Sequence, residues 1–272
     1  MADTTDQRLS SKDLRTDVAH SARVYDYLLG GKDNYAADRE AAEEVVEVAP
    51  YIRTSMRASR NFMVRVARHL AEECGVRQFL DIGTGLPTSP NLHEVVQGVD
   101  PASRVVYVDN DPIVLVHARA LLTSTPEGHS RYIHADLNEP DAILGAPEVT
   151  ETLDLARPVA LCLFTVVHFI DDDTRAQEVV RRLMAPLPSG SYLALSTINL
   201  DSDARPGDAV RKHNEHGIRS KGRTTEQITR FFDGLDLVEP GVVPAHHWRP
   251  DAAARRIDDT QVSIYGGTAR KR

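Results

Sequence analysis

At 272 residues, with 41% apolar and 26% charged side chains, the chain is long enough to bury a full core and has the make-up of an ordinary globular protein. A net charge of −8 argues against a general nucleic-acid binder, because neutralising phosphates takes clustered Lys and Arg. No apolar stretch approaches the roughly 20 residues of a membrane span, and the polar start from Met1 to Gln7 is unlike a signal peptide.

Residues 1 to about 16 carry no periodic apolar face, which predicts a mobile start. From Ser21 the pattern changes: Val24, Tyr27 and Leu28 share a helical face, and Gly30 and Gly31 end that helix, since glycine accepts the left-handed conformation used there. Lys32 to Tyr35 read as an exposed loop. A second helix is expected over about Ala37 to Ala49, stopped by Pro50. A third spans Ile52 to Glu73, with Ile52, Met56, Phe62, Met63, Val66 and Leu70 inward. Its arginines Arg53, Arg57, Arg60 and Arg68 read as a solvated outer face. Cys74 and Cys162 make neither a disulfide framework nor a metal motif, and two plain buried thiols imply a reducing, cytoplasmic setting. A boundary near Gly75 separates a helical N-terminal cap, residues 1–74, from a sheet domain, residues 75–272.

The apolar run from Val76 to Ile82 reads as a buried strand that breaks at Gly83 and Gly85 into a turn, followed by a short helix from about Pro90 to Gln97. A second strand, Val105 to Val108, ends at Asp109, and Asp111 before Pro112 has the pattern of a helix N-cap with proline at the first helical position. A third, Arg131 to Ala135, ends at Asp136. The fourth, Val159 to Val167, runs into His168, with Thr174 opening a helix, and the fifth spans Tyr192 to Ser196. Apolar runs separated by helical patterns predict a parallel sheet covered on both faces. Residues 199–223 are polar, with Arg205, Arg211, Lys212, Arg219, Lys221 and Arg223, and read as a segment that could cover an acidic or carboxylate-bearing substrate. His213 and His216 could share a helix face, but no third ligand lies nearby and no metal is expected. Thr224 to Gln227 has capping-box spacing, and Leu235 to Val243 and Gln261 to Gly266 read as the last strands.

Strand tips in an open α/β sheet hold ligands, and the glycine turn poses the question of which one. The dinucleotide pattern G-x-G-x-x-G would need a third glycine where Thr88 stands, and Pro87 removes a backbone N–H from the loop that would cradle a pyrophosphate. A phosphate-free ligand fits better. S-adenosylmethionine has an ammonium suited to Asp81 and the carbonyls up to Gly83, a ribose suited to Asp109, and an adenine amine suited to Asp136. Neither a P-loop nor a G-x-S-x-G elbow occurs.

The stretches Asp81 to Thr88, Val106 to Pro112, Tyr132 to Asp136 and Val166 to Ile170, together with Ala22 to Tyr35, resemble a class I S-adenosylmethionine-dependent methyltransferase. In particular they resemble the actinobacterial S-adenosyl methyltransferase family formerly catalogued as a domain of unknown function. The resemblance implies a Rossmann-like seven-stranded, mostly parallel sheet in the order 3-2-1-4-5-7-6, with the strand near Val262 antiparallel. It also implies cofactor contacts at Gly83, Gly85, Asp109, Asn110, Asp136 and Leu137. Because Ala22 to Tyr35 is part of it, Tyr27, Lys32, Asn34 and Arg23 become candidates for a lid over the cofactor. His168, at the mouth of the fourth strand, is the candidate general base if the acceptor needs one. The expected function is methyl transfer to a small-molecule acceptor, with neither nucleic acid nor membrane as partner. A sensor that binds the cofactor without transferring the methyl is the rival of another class, and an NAD-dependent oxidoreductase is a second.

Overall fold

The computed structural model describes residues 15–121 and 123–272, so the expectation for the first stretch lies almost wholly outside the described residues. The apolar runs form the strands β1 (Gln78–Ile82), β2 (Arg104–Asp109), β3 (His129–His134), β4 (Ala160–Phe164) and β5 (Tyr192–Ile198). They pair in parallel with β1 at the centre, beside β2 and β4, and every residue of β1 and β5 is buried. With the short β6 (Asp236–Leu237) and β7 (Val243–Pro244) and the antiparallel β8 (Ile264–Arg270), the order is β3-β2-β1-β4-β5-β8-β6, with β7 also on β8. This is the expected topology, with the last strand inserted antiparallel between the fifth and the sixth.

The ends of the first five strands shift by a few residues from the sequence reading, and the last strands differ from it most. The single strand expected over Leu235 to Val243 is two short ones, because Pro240 offers no ladder N–H and Gly241 turns the chain at φ +90°. The final strand begins later and runs through Gly266 and Gly267 to Arg270. The glycines are needed there: a Cβ on Gly266 would sit 2.7 Å from the Phe62 ring and 2.8 Å from the Leu195 carbonyl oxygen.

On one face of the sheet α3 (Ile52–Glu72) buries Phe62, Met63, Val66 and Leu70 against Phe79, Val105, Ala160 and Ala194. On the other, α8 (Asp173–Met184) packs Val179, Val180 and Leu183 against Leu80, Val106, Leu161 and Leu193. Strand alternation therefore sends Phe79 and Asp81 towards α3, and Leu80 and Ile82 away from it. The remaining helices are α1 (Ser21–Leu29), α2 (Ala36–Val48), α4 (Leu92–Gln97), α5 (Pro112–Leu121), α6 (Pro140–Leu144), α7 (Pro147–Thr152), α9 (Gly207–Glu215) and α10 (Thr225–Thr229). Gly30 closes α1 in the left-handed conformation at φ 88°, Asp111 caps α5 by accepting the Ile113 N–H at 2.9 Å, and Thr224 with Gln227 forms the capping box of α10. The expected start of α4 at Ser89-Pro90 moves to Asn91, which caps it reciprocally with Glu94. α9, in a stretch read from sequence as a polar segment, joins α1 and α2 in a smaller core of Val24, Leu28, Ala41, Val45, Ala209 and Ile218. Among the described residues no helix is long and apolar enough to cross a membrane.

Candidate active site

The strand order reverses between β1 and β4, so the connections on either side leave in opposite directions and open a crevice at the C-terminal ends of the strands. Here it is a cavity of about 270 Å³, walled by the turns after β1 to β4, by α1 and α3, by the end of β5 and by α9. The turn after β1 is built for close approach. Gly83 and Gly85 lie at φ 75° and 68°, and a Cβ on Gly83 would meet Val166 Cγ2 at 2.3 Å. Gly83 N–H donates to the Val108 carbonyl at 2.8 Å, and Gly85 N–H donates to Asp109 Oδ2 at 2.8 Å. The other oxygen of Asp109 accepts the Asp111 N–H at 2.9 Å, so the carboxylate at the tip of β2 is fixed by backbone on both sides.

The acids of this rim differ in environment. Asp81, inside β1, is 6% exposed, and its carboxyl is pushed up to about 7, chiefly by burial. The Arg60 guanidinium and the Thr84 hydroxyl, 3.2 Å away, oppose that rise, and the Asp109 charge adds to it. Burial also raises Asp109, against the two N–H groups that hold its charged form. Asp136 is exposed and accepts the backbone and side-chain N–H groups of Asn138 at 2.8 and 3.0 Å. Arg60 donates to the Thr88 carbonyl and, at 2.8 Å, to that of Pro90, while its Nε is buried without a partner.

His168 sits in a 3-10 turn, Val167–Phe169, beyond Thr165, whose φ of 51° bends the chain after β4. The turn is clamped from outside: Lys221 N–H donates to the His168 carbonyl at 2.8 Å, and Arg223, 1% exposed, donates to the carbonyls of Val167 (3.0 Å) and Ile170 (2.7 Å) while pairing with Asp173 at 3.0 Å. Burial first, then His213 and Arg223, pulls the His168 imidazole down to about 3, and its Nδ1 is buried without a partner. His213 on α9 also lines the cavity and is held at about 4 by burial and by His216.

The structure thus brings Asp81, Gly83, Gly85, Asp109, Asn110, Asp136, Leu137 and His168 around one cavity. It places the four candidates of the N-terminal stretch elsewhere. Arg23, 2% exposed, lies between Asp38 (3.6 Å) and Asp111 (3.5 Å) and fastens α1 to α2 and to the cap of α5. Tyr27 donates to Glu43 and lies under the Arg53 guanidinium, 5.0 Å from the ring centre. Asn34 donates to Asp26 at 2.8 Å, and Lys32 is exposed. α1 does wall the cavity, through Ser21, Ala22, Val24, Tyr25 and Leu28, while Tyr27 packs against the same small core with its hydroxyl turned to Glu43.

Arg60 is the residue missed. It was read as solvated, yet it lies four positions after Met56 and three before Met63, on the face that the sequence itself marks as inward. The cations of residues 205–223 also depart from expectation, since none lines the cavity. Lys212 pairs with Glu44 (3.1 Å), Arg211 with Glu215 (2.9 Å), and Lys221 and Arg223 with Asp173. His216 turns to Glu44 at 3.2 Å, away from His213. Among the described residues His246, His247 and Asp259 have ligand-type atoms within 4.8 Å of one another, and none of the three lines the cavity.

The donor set can be tested against its expected ligand. Three carboxylates around a glycine turn repel a pyrophosphate, and the helix that follows this turn does not offset them, because α4 starts only at Leu92. They suit hydroxyls, amines and an ammonium, and the unpartnered Arg60 Nε suits a carboxylate: the polar groups of S-adenosylmethionine.

Comparison with known proteins agrees. The solved structure of a DUF574 family protein from Streptomyces avermitilis is 51% identical, with 95% of this chain and 100% of that one aligned at a TM-score of 0.93. A Thermobifida fusca protein named as a candidate methyltransferase is 39% identical over 95% and 97% of the two chains, at a TM-score of 0.88. The plantazolicin methyltransferase solved with S-adenosylhomocysteine shares the fold alone, at 12% identity over 92% of this chain and 96% of that one and a TM-score of 0.51. No curated protein matches the chain. The family model for S-adenosyl methyltransferase matches residues 7–272, and the chain belongs to that family.

Proposed function

We propose that the protein transfers the methyl group of S-adenosylmethionine to a small-molecule acceptor enclosed between the turn after β4 and α9. The observation that carries this reading is the division of one cavity into an acidic rim over β1 to β3 and a second wall beyond β4 that, among the described residues, carries no acid. Asp81 and Arg60 would hold the amino-acid end of the cofactor, Asp109 the ribose hydroxyls through its remaining lone pairs, and Asn110, Asp136 and Leu137 the adenine. Bound there, the cofactor supplies an electrophilic methyl on a sulfonium, which an acceptor lone pair displaces in line as the carbon–sulfur bond breaks and sulfur keeps the electron pair.

The chain's own part is alignment and exclusion of water. Tyr25, Leu28 and Phe169 close over the acceptor side, and the clamped turn aims His168 from a fixed backbone. His168 takes the proton that a methylated oxygen or a non-basic nitrogen must lose and passes it to water. A protonated ether is a far stronger acid than an imidazolium held at about 3, so even this weak base suffices for a hydroxyl acceptor.

Calorimetric titration separates the cofactors: S-adenosylmethionine and S-adenosylhomocysteine should bind, and NAD should not. Incubation with methyl-labelled cofactor and cell extract should then label a small molecule. Binding without transfer to any acceptor would favour the sensor reading, and absence of S-adenosylmethionine binding would remove the proposal.

A further inference from the structure

The two walls of the cavity differ in charge. Among the described residues, every Asp, Glu, Lys or Arg that lines it, namely Asp81, Asp109, Asp136 and Arg60, belongs to the C-terminal ends of β1 to β3 or to the helix face against them. Beyond β4 the wall is made of Ile52, Ile198, Ala209, Val210, Ile218 and Ile264. Its polar contributions come from Thr165, from Ser263, whose hydroxyl is shared with Ser55 at 3.1 Å, and from the imidazoles of His168 and His213. Of the cations nearest in sequence, Arg211, Lys212, Lys221 and Arg223 are committed to Glu44, Asp208, Glu215 and Asp173, and Arg205 and Arg219 are exposed and do not line the cavity.

Building on the methyltransferase reading, we infer that the acceptor is an uncharged, largely apolar small molecule that presents a single hydroxyl or N–H to His168 and His213. A charged group against this wall would meet no opposite charge and would lose its hydration, which is costly. The imidazoles do not supply that charge, because burial keeps both of them neutral at physiological pH. What the wall lacks is a hydrogen-bond partner. His168 lines the cavity at 7% exposure, and its hydrogen bonding within the protein is incomplete, the buried Nδ1 having no partner. The carboxylate-bearing acceptor expected from the basic composition of residues 205–223 is thereby replaced: composition counts the cations, and none of them lines the cavity.

The test uses 2-naphthol, 2-naphthoate and 2-naphthylmethylammonium, which share an apolar body and differ in charge, titrated calorimetrically into the full chain saturated with S-adenosylhomocysteine. 2-Naphthol should bind at least about tenfold more tightly than either charged probe, and His168→Ala should weaken it by a similar factor. Val210→Lys, which sets a cation in the wall, should reverse the order in favour of 2-naphthoate. The inference is overturned if a charged probe binds as well as 2-naphthol, if 2-naphthol does not bind the loaded protein, or if Val210→Lys leaves the preference unchanged. The preceding S-adenosylhomocysteine titration separates the two levels: failure there removes the methyltransferase reading, whereas success there followed by failure with the probes removes only the acceptor class.

Discussion

Asp81 shows how one side chain acquires a task from its surroundings. A carboxyl buried in a central strand prefers its proton, and Arg60 and Thr84 offset only part of the desolvation, which leaves it poised near 7. Because its folded value lies above the ordinary 3.8, the folded state holds more protons than the unfolded chain between those values, and Asp81 makes stability fall as pH rises from about 4 to 7. An ammonium beside it favours the ionised form. Cofactor affinity should therefore rise between pH 5 and 7, by up to roughly tenfold per unit, and Asp81→Asn should flatten that dependence. Calorimetry at several pH values decides it, and a wild-type affinity independent of pH would separate Asp81 from the ammonium. Asp81 was legible in the sequence because a carboxylate in an apolar strand asks for a reason. Arg60 was not, because an arginine on a helix reads as solvated until the helix is docked.

At the scale of elements, the turn after β1 and the turn after β4 are made in different ways. The first depends on glycine. Gly83 and Gly85 share a left-handed backbone, but only Gly83 faces a neighbour, Val166, whereas a Cβ on Gly85 would meet open space. Alanine at Gly85 should cost the backbone strain alone, about 1–2 kcal/mol, and alanine at Gly83 should cost that plus the overpacking against Val166, about 1–3 kcal/mol more. Thermal unfolding of the two variants measures the difference, and equal losses would refute the packing account. The second turn is held from far along the chain, by the Lys221 backbone N–H and the Arg223 guanidinium, which fix the carbonyls of Val167, His168 and Ile170. The central strands were readable because the buried runs end in an acid or a turn signal, whereas their order came from the family resemblance alone. The sixth strand was not readable, since Pro240 and Gly241 sit inside what apolar content alone presents as one run.

For the whole molecule, the cavity is closed by pieces that chain order keeps apart. α1 precedes the sheet and α9 follows its fifth strand, yet both line the cavity and share a small core with α2. That core is separate from the two large ones on the sheet, and Arg23 links it to the cap of α5 next to Asp109. Occupying the cavity should therefore stabilise both covering helices together. Hydrogen exchange with and without S-adenosylhomocysteine should show slower exchange over residues 20–28 and 207–215, beyond that of the already protected strands. Unchanged exchange in both helices would mean that they do not sense the cofactor.

By itself the sequence determined the local chemistry of the donor side: a strand, a glycine turn unfit for pyrophosphate, and acids at the next two strand tips. Those features are encoded within short segments, where periodicity and backbone preference act directly. Only the tertiary structure decided which side chains of the N-terminal stretch and of residues 205–223 face the cavity. Arg23, Tyr27, Lys32 and Asn34 turned out to brace or to face solvent, while Tyr25, Arg60 and His213 line the wall. The physical reason is helical rotation. One residue along a helix turns a side chain by about 100°, so the direction of each group is settled by how its helix docks, and docking depends on apolar contacts between segments far apart in the chain.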